Sequence, residues 1–144
     1  MKILLAAQTS APSRSPTFIA FLIANAMPYM LLILEPTGQR NTRTDAEGHA
    51  VYDRMLRFGE DLRNQGLLLA SESLGSQAKG ARVQVRGGQA RVVDGPFAEA
   101  KEMVGGYFLI NCVTREEAVA IAAQCPAAEW CTIEVRHLAP CYES

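Results

Sequence analysis

The chain has 144 residues, of which 49% are hydrophobic and 20% are charged, as in one ordinary globular domain. Its net charge of −1 carries no electrostatic signature of nucleic-acid binding, so no nucleic-acid partner is expected. No P-loop, nucleophile elbow or dinucleotide-binding glycine motif occurs. The four cysteines lack zinc-site spacing. We therefore expect no metal and no cofactor, and interpret the cysteines as small core residues of a cytoplasmic protein.

Residues 1–26 differ in composition from the rest of the chain. An apolar stretch at 18–26 ends in an Ala-x-Ala pattern, as a signal peptide does, but it is too short for a membrane-spanning helix. Three interpretations are open: an upstream start codon before Met27, which we favour, a signal peptide, or an element that covers the domain. We treat residues 1–26 as an N-terminal extension and residues 27–144 as one domain, with no membrane partner.

Apolar runs and capping signals predict the first strand–helix unit. Residues 29–34 are apolar throughout, which is typical of a central strand buried on both faces. A capping box at Thr44 and Glu47 opens the first helix, and Gly66 ends it. The expected buried stripe of this helix consists of Val51, Met55, Phe58 and Leu62.

The rest of the chain repeats this layout after a hairpin. Residues 67–70 form the second strand, a hairpin with its valines turned inward spans 82–93, and residues 107–112 form another doubly apolar strand. A second helix opens at the capping box 114–117, and residues 130–135 alternate as the last strand. This order predicts an α+β, ferredoxin-like βαβ–hairpin–βαβ fold with an antiparallel sheet.

A sheet of this kind carries its helices on one face only. The strands at 29–34 and 107–112 are apolar on both sides, so the other face also needs a cover. A second copy of the chain is the simplest cover, and we expect a homodimer.

The most informative stretch is residues 93–107, which contain a turn and several charged residues immediately before an apolar strand. Pro96 fits a tight turn, and the carboxylate of Asp94 can accept hydrogen bonds from the N–H groups that follow. The glycine pairs 87–88 and 105–106 are both assigned to turns. Two interpretations of Asp94 stay open: it caps the turn among solvated charges, or it is the titratable centre of a polar pocket.

The same stretch carries a resemblance to a known family. The residues concerned are Asp94, Gly95, Pro96, Phe97, Ala98, Glu99, Lys101 and Glu102, followed by Gly105, Gly106 and Tyr107. This pattern resembles the signature of the DGPF proteins, a branch of the YCII-related family, and the likeness extends over roughly the last four-fifths of the chain. The resemblance implies a ferredoxin-like subunit that pairs into a dimeric α/β barrel. It also implies an extracytoplasmic-function sigma factor as a partner.

Candidate site residues follow from these patterns. Asp94 is the candidate catalytic acid/base. Glu72, at the end of a strand, is either a pocket residue or an exposed acid, and Arg82 is a counter-charge for Glu72 or Asp94. Tyr52 flanks the first helix stripe, where its hydroxyl can face a cavity, with core packing as the alternative. The other candidate ligand-binding residues are Pro96, Phe97, Glu99, Lys101 and Glu102.

One departure from the family bears on catalysis. The helix histidine that members of the wider family carry would fall near Met55, so this chain lacks it and a His–Asp pair is not predicted.

Two function hypotheses result. The first is an enzyme that binds an unknown small molecule in an acid/base pocket centred on Asp94. The alternative is a non-catalytic ligand-sensing or protein-interaction module that acts with an extracytoplasmic-function sigma factor. The sequence does not separate them.

Overall fold

The computed structural model describes residues 28–143, and the extension predicted at residues 1–26 lies outside them. The described part contains six strands and two α-helices. The strands are β1 Pro28–Pro36, β2 Leu68–Ser73, β3 Ala81–Arg86, β4 Gln89–Asp94, β5 Glu102–Asn111 and β6 Thr132–His137. The helices are α1 Asp45–Asn64 and α2 Arg115–Gln124.

Four of the strands form one antiparallel sheet in the order β2-β5-β1-β6. The hairpin β3–β4 forms a separate two-stranded sheet. In the sequence it lies between the two βαβ units, β1-α1-β2 and β5-α2-β6. The predicted α+β class with an antiparallel sheet is confirmed, and this order is compatible with a ferredoxin-like fold. Neither helix of the described part is long and apolar enough to cross a membrane.

The core lies between the sheet and the two helices. Leu31 of β1 and Ile110 of β5 are fully buried at its centre. The rings of Phe58 on α1 and Phe108 on β5 meet edge to face, with centroids 5.1 Å apart. The predicted stripe of α1 is therefore confirmed at Phe58 and Leu62. Its two residues nearer the N-terminus of the helix are only half-buried, because they line a cavity described below.

Both ends of α1 follow the predicted capping signals. The side chains and backbones of Thr44 and Glu47 form a reciprocal capping box. At the other end Gly66 takes a left-handed φ of 72°. The N–H of Leu67 donates to the carbonyl of Leu62 at 2.9 Å, and that of Gly66 to Arg63 at 3.0 Å, which is the Schellman pattern.

The hairpin has the predicted strands and turn but not the predicted burial. Gly87 and Gly88 both have positive φ, as a type I′ turn requires. The valines alternate as expected, yet Val83, Val85 and Val92 are 57–63% exposed. The prediction that they point into the core is wrong for the described chain, because the hairpin leaves the body of the domain instead of packing on the sheet.

The cysteines divide into two groups. Cys112 and Cys125 are buried and Cys131 is half-buried, but Cys141 is exposed, so the interpretation as core residues is wrong for Cys141. Burial raises the pKa of the Cys112 and Cys125 thiols. Burial, together with the nearby Glu35 carboxylate, raises the pKa of Cys131 to about 11.

We predict that the cysteines react at very different rates. Only the thiolate is nucleophilic, and about a thousandth of Cys131 is ionised at a pH of ~8. Iodoacetamide should therefore label Cys141 first in the folded protein, and the other three thiols only after unfolding. A Cys141→Ser control should abolish the fast phase. Rapid labelling of Cys131 in the folded state would contradict the prediction.

Candidate functional site

A cavity of about 730 Å³ lies between α1 and the edge of the sheet formed by β2, β5 and the end of β1. We call it the α1 cavity. One wall consists of α1 side chains, among them Val51, Tyr52 and Met55. Ser71 and Ser73 of β2 line the opposite wall, and Trp130 lies after the last helical turn before β6. The helix side is thus apolar at Val51, Tyr52 and Met55, with Glu60 and Arg63 as charged members, and the sheet side carries two hydroxyls.

The end of the cavity is closed by an ion pair between Glu35 and Arg40. Arg40 donates from Nε to Glu35 Oε2 at 2.8 Å and from Nη2 to Oε1 at 2.9 Å. Its Nη1 donates to the carbonyl of Leu74 at 2.9 Å, and Nη2 also reaches the carbonyl of Gly105 at 3.4 Å. The Glu35 side chain is only 12% exposed. This one guanidinium therefore joins the end of β1 to the end of β2 and to β5.

Gly105 and Gly106 make room for this arrangement. Both lie inside β5, beside a register shift between Ile33 and Leu34 of β1. The prediction that they form a turn is wrong, because the strand continues through the irregularity. A Cβ on Gly105 would overlap the Glu35 carboxylate, and one on Gly106 would come within 2.7 Å of the Glu72 carbonyl. The two glycines thus serve close packing.

Trp130 and Arg43 form the far rim of the cavity, and Arg54 contacts the Trp130 ring from outside. The guanidinium of Arg43 lies 5.7 Å from the Trp130 ring centroid, and that of Arg54 lies 5.1 Å from it. Arg54 also bonds Glu129 at 2.7 Å, on the outside of the protein. Arg43 instead lines the cavity and donates to the Gln39 side chain at 3.3 Å. In the described chain neither Arg43 nor Arg63, which also lines the cavity, forms an ion pair, and Arg43 is the one of the two that lies beside the Trp130 ring.

Two predicted site residues line this cavity. Tyr52 is about half exposed, so its position at a cavity favours the ligand-binding interpretation over core packing. Glu72 also contributes to the lining, but it pairs with Tyr107 between the inward-facing Ser71 and Ser73. Because side chains alternate along β2, the Glu72 carboxylate belongs to the opposite, helix-free face of the sheet. Its contribution to the cavity is therefore made by the backbone.

A smaller hollow of about 360 Å³ at the base of the hairpin holds three more predicted residues, Arg82, Phe97 and Glu102. The Arg82 guanidinium stacks 4.0 Å from the centroid of the Phe97 ring. It forms no ion pair with Glu72 or Asp94.

The other four predicted residues, Asp94, Pro96, Glu99 and Lys101, line neither cavity. Asp94 is exposed at the end of β4, where it pairs with Ala81 of β3. The N–H of Gly95 donates to the carbonyl of Gly80 at 2.8 Å, and no hydrogen bond to the Asp94 side chain occurs within residues 28–143. The capping interpretation of Asp94 is therefore wrong in the described chain. Its acid/base role stays a prediction.

Sequence reasoning missed the ion pair and the rim, namely Glu35, Arg40, Arg43 and Trp130. The only local signal for the ion pair was the glycine pair at 105–106. Glycines occur where another group packs closely against the backbone as well as in turns, and only the turn was predicted. Within the described residues no group of three or more His, Cys, Asp or Glu side chains is placed to hold a metal ion.

A four-stranded antiparallel sheet with two helices on one face and a cavity under α1 defines a small α+β protein. Residues 27–141 match the family model described as the YCII-related domain, and the chain belongs to the YCII-related family. The resemblance to that family is thereby confirmed. The chain is also similar to an uncharacterized protein of Rhizobium meliloti (strain 1021), with 44% identity over 54 residues. That match covers 36% of this chain and 44% of the relative, so it spans less than half of the relative's length.

We predict that Gly105→Ala destabilises the domain by about 2 kcal/mol, because the added methyl group displaces the Glu35 carboxylate from Arg40. Gly48→Ala is the matched control. It lies in α1 with no atom within 4 Å of the place that its methyl group would take, and alanine favours a helix over glycine. Chemical denaturation should separate the two variants. Equal stability would show that Gly105 is not needed for the ion pair.

Proposed function

We propose that this YCII-related protein binds a small molecule in the α1 cavity. The observation that carries the proposal is the cavity itself, whose volume of about 730 Å³ lies in the range of small-molecule sites. It combines an apolar wall, including Met55 and the Tyr52 ring, with a few convergent polar groups, as binding sites for small molecules do.

The lining favours an amphipathic ligand with an anionic group. Glu35 and two carbonyls take four of the five N–H donors of Arg40, and Glu35 neutralises its charge, so Arg40 is poorly placed to bind a ligand carboxylate. Arg43 lies beside Trp130 with donors to spare, and Ser71 and Ser73 also line the cavity. An aromatic or aliphatic body would pack against Trp130 and α1 while its acid group binds Arg43.

Catalysis by Asp94 is the less supported function. General acid/base chemistry needs the carboxyl group within hydrogen-bond reach of a bound substrate. Asp94 is exposed and lines neither cavity of the single chain, so a substrate in the α1 cavity does not meet it. The sigma-factor partnership rests on family resemblance alone and stays a prediction.

The functional unit is a homodimer that pairs the helix-free faces of two sheets, as in a dimeric α/β barrel. What supports this is the composition of that face. Met30, Leu32 and Leu34 alternate with the buried residues of β1 and are paired with Leu109, Tyr107 and Val104 of β5. All six are apolar or aromatic, and no described element of the chain covers them.

We expect 1-anilinonaphthalene-8-sulfonate, which has an aromatic body and an anionic group, to bind the full-length protein in the α1 cavity. Ser71→Leu fills the cavity and should weaken binding at least ~10-fold. Arg43→Gln should also weaken it, whereas Arg54→Gln should not, because Arg54 touches Trp130 from outside. Fluorescence titration measures all three variants.

Asp94→Asn distinguishes the two function hypotheses in the same titration. Binding within about twofold of the wild type is the result expected for a site in the α1 cavity. If Asp94→Asn abolishes binding while Ser71→Leu and Arg43→Gln leave it unchanged, the site lies at the hairpin base and the cavity proposal fails.

A further inference from the structure

Arg43 and Arg54 both contact the Trp130 ring, but their other partners differ in charge. Arg54 binds the carboxylate of Glu129 at 2.7 Å, outside the cavity. Arg43 lines the cavity, and its Nη2 donates to the side-chain amide oxygen of Gln39 at 3.3 Å. A carboxylate cancels the charge of its arginine, whereas a neutral amide binds the guanidinium and leaves its positive charge uncompensated. Gln39 therefore holds the cavity arginine without neutralising it.

The orientation of the Gln39 amide is fixed by three partners. Its Nε2 donates to the backbone carbonyl of Trp130 at 2.7 Å, and because a carbonyl only accepts, the amide nitrogen must lie at this end. Its Oε1 then faces the Arg43 guanidinium and the Cys131 thiol, whose sulfur is 3.5 Å away. Burial raises the pKa of this thiol to about 11, so it stays protonated and donates. The amide thus joins Arg43 to the backbone beneath the Trp130 ring.

The backbone of Gln39 is held by a local turn. Gly38 takes a left-handed φ of 84°, and the short 3₁₀ helix Gln39–Thr42 follows it. The Thr42 hydroxyl donates to the Gln39 carbonyl at 2.7 Å. Arg40, the next residue of the turn, is directed to Glu35 instead of the rim. Two consecutive residues therefore have different partners, and the glutamine is the one that meets Arg43.

We propose that Gln39 sets the charge selectivity of the α1 cavity, by holding Arg43 at the rim with its charge free for an anionic ligand. This inference rests on the proposed function, because it concerns a ligand bound in that cavity. Gln39 is a positioning residue: within the described chain it is not among the residues that line the cavity, and it acts through Arg43. A carboxylate at this position would have nearly the same shape but would neutralise Arg43 and repel an anion.

Two probes of nearly the same shape measure this selectivity on the full-length protein. N-phenyl-1-naphthylamine has the ring system of 1-anilinonaphthalene-8-sulfonate but lacks the sulfonate. Trp130 is the single tryptophan of the chain, so quenching of its fluorescence reports binding at the rim. The wild type should bind the sulfonate more tightly than the neutral probe. Gln39→Glu should weaken binding of the sulfonate at least ~10-fold and change binding of the neutral probe less than about twofold.

Three further variants show whether Gln39 acts through Arg43. Gln84→Glu is the matched control, because it adds the same charge on the exposed strand β3, and it should change neither affinity. Gln39→Ala removes the amide without adding a charge, and it should weaken binding of the sulfonate more than that of the neutral probe. In an Arg43→Gln background Gln39→Ala should have no further effect on the sulfonate, since the cation that it positions is gone.

The outcomes separate this inference from the proposed function. If Ser71→Leu affects neither probe, binding occurs outside the cavity and both fail. If Ser71→Leu removes both probes but Gln39→Glu leaves the ratio of their affinities unchanged, the cavity proposal stands and the role of Gln39 is overturned. Equal weakening of the two probes by Gln39→Glu also overturns it, because that result shows a residue that only supports the shape of the cavity.

Discussion

The bidentate ion pair between Glu35 and Arg40 is the interaction on which the edge of the domain depends. It fixes the end of β1, the end of β2 and the irregular stretch of β5 through a single guanidinium. Hydrogen bonds between charged partners in such partly buried positions contribute about 1.5–3 kcal/mol. The pair exists because Gly105 leaves space where any other residue would place a Cβ.

This constraint also shapes the chemistry of the cavity. Because Glu35 and two carbonyls take four of the five N–H donors of Arg40, the positive charge that we propose faces the ligand is that of Arg43, whose guanidinium contacts Gln39 and the Trp130 ring. Gln39 in turn donates to the Trp130 carbonyl at 2.7 Å. The same segment after β1 therefore both fixes the edge of the sheet through Arg40 and carries Arg43, the cation of the proposed site. The hairpin lies apart from this site.

Local signals predicted the elements well. The capping box at Thr44, the glycine at 66 and the alternation of the hairpin depend on neighbours in the sequence, and each is present as expected. The site was harder to predict because its contacts join residues that are far apart in the sequence. Arg40 meets Leu74 and Gly105 only through the sheet register, and the valines of the hairpin lack a core because the ribbon leaves the domain. Asp94 was predicted as a site residue from the family signature, and a sequence signature carries no information about the direction of a side chain.

A double-mutant cycle on Glu35→Gln and Arg40→Gln tests the central claim most directly. Unfolding free energies of the two single variants and the double variant give the coupling between the side chains. We predict a coupling of about 2 kcal/mol, clearly larger than that of the exposed pair Arg54–Glu129 measured by the same cycle. A Glu35–Arg40 coupling no larger than that of the exposed pair would contradict the account.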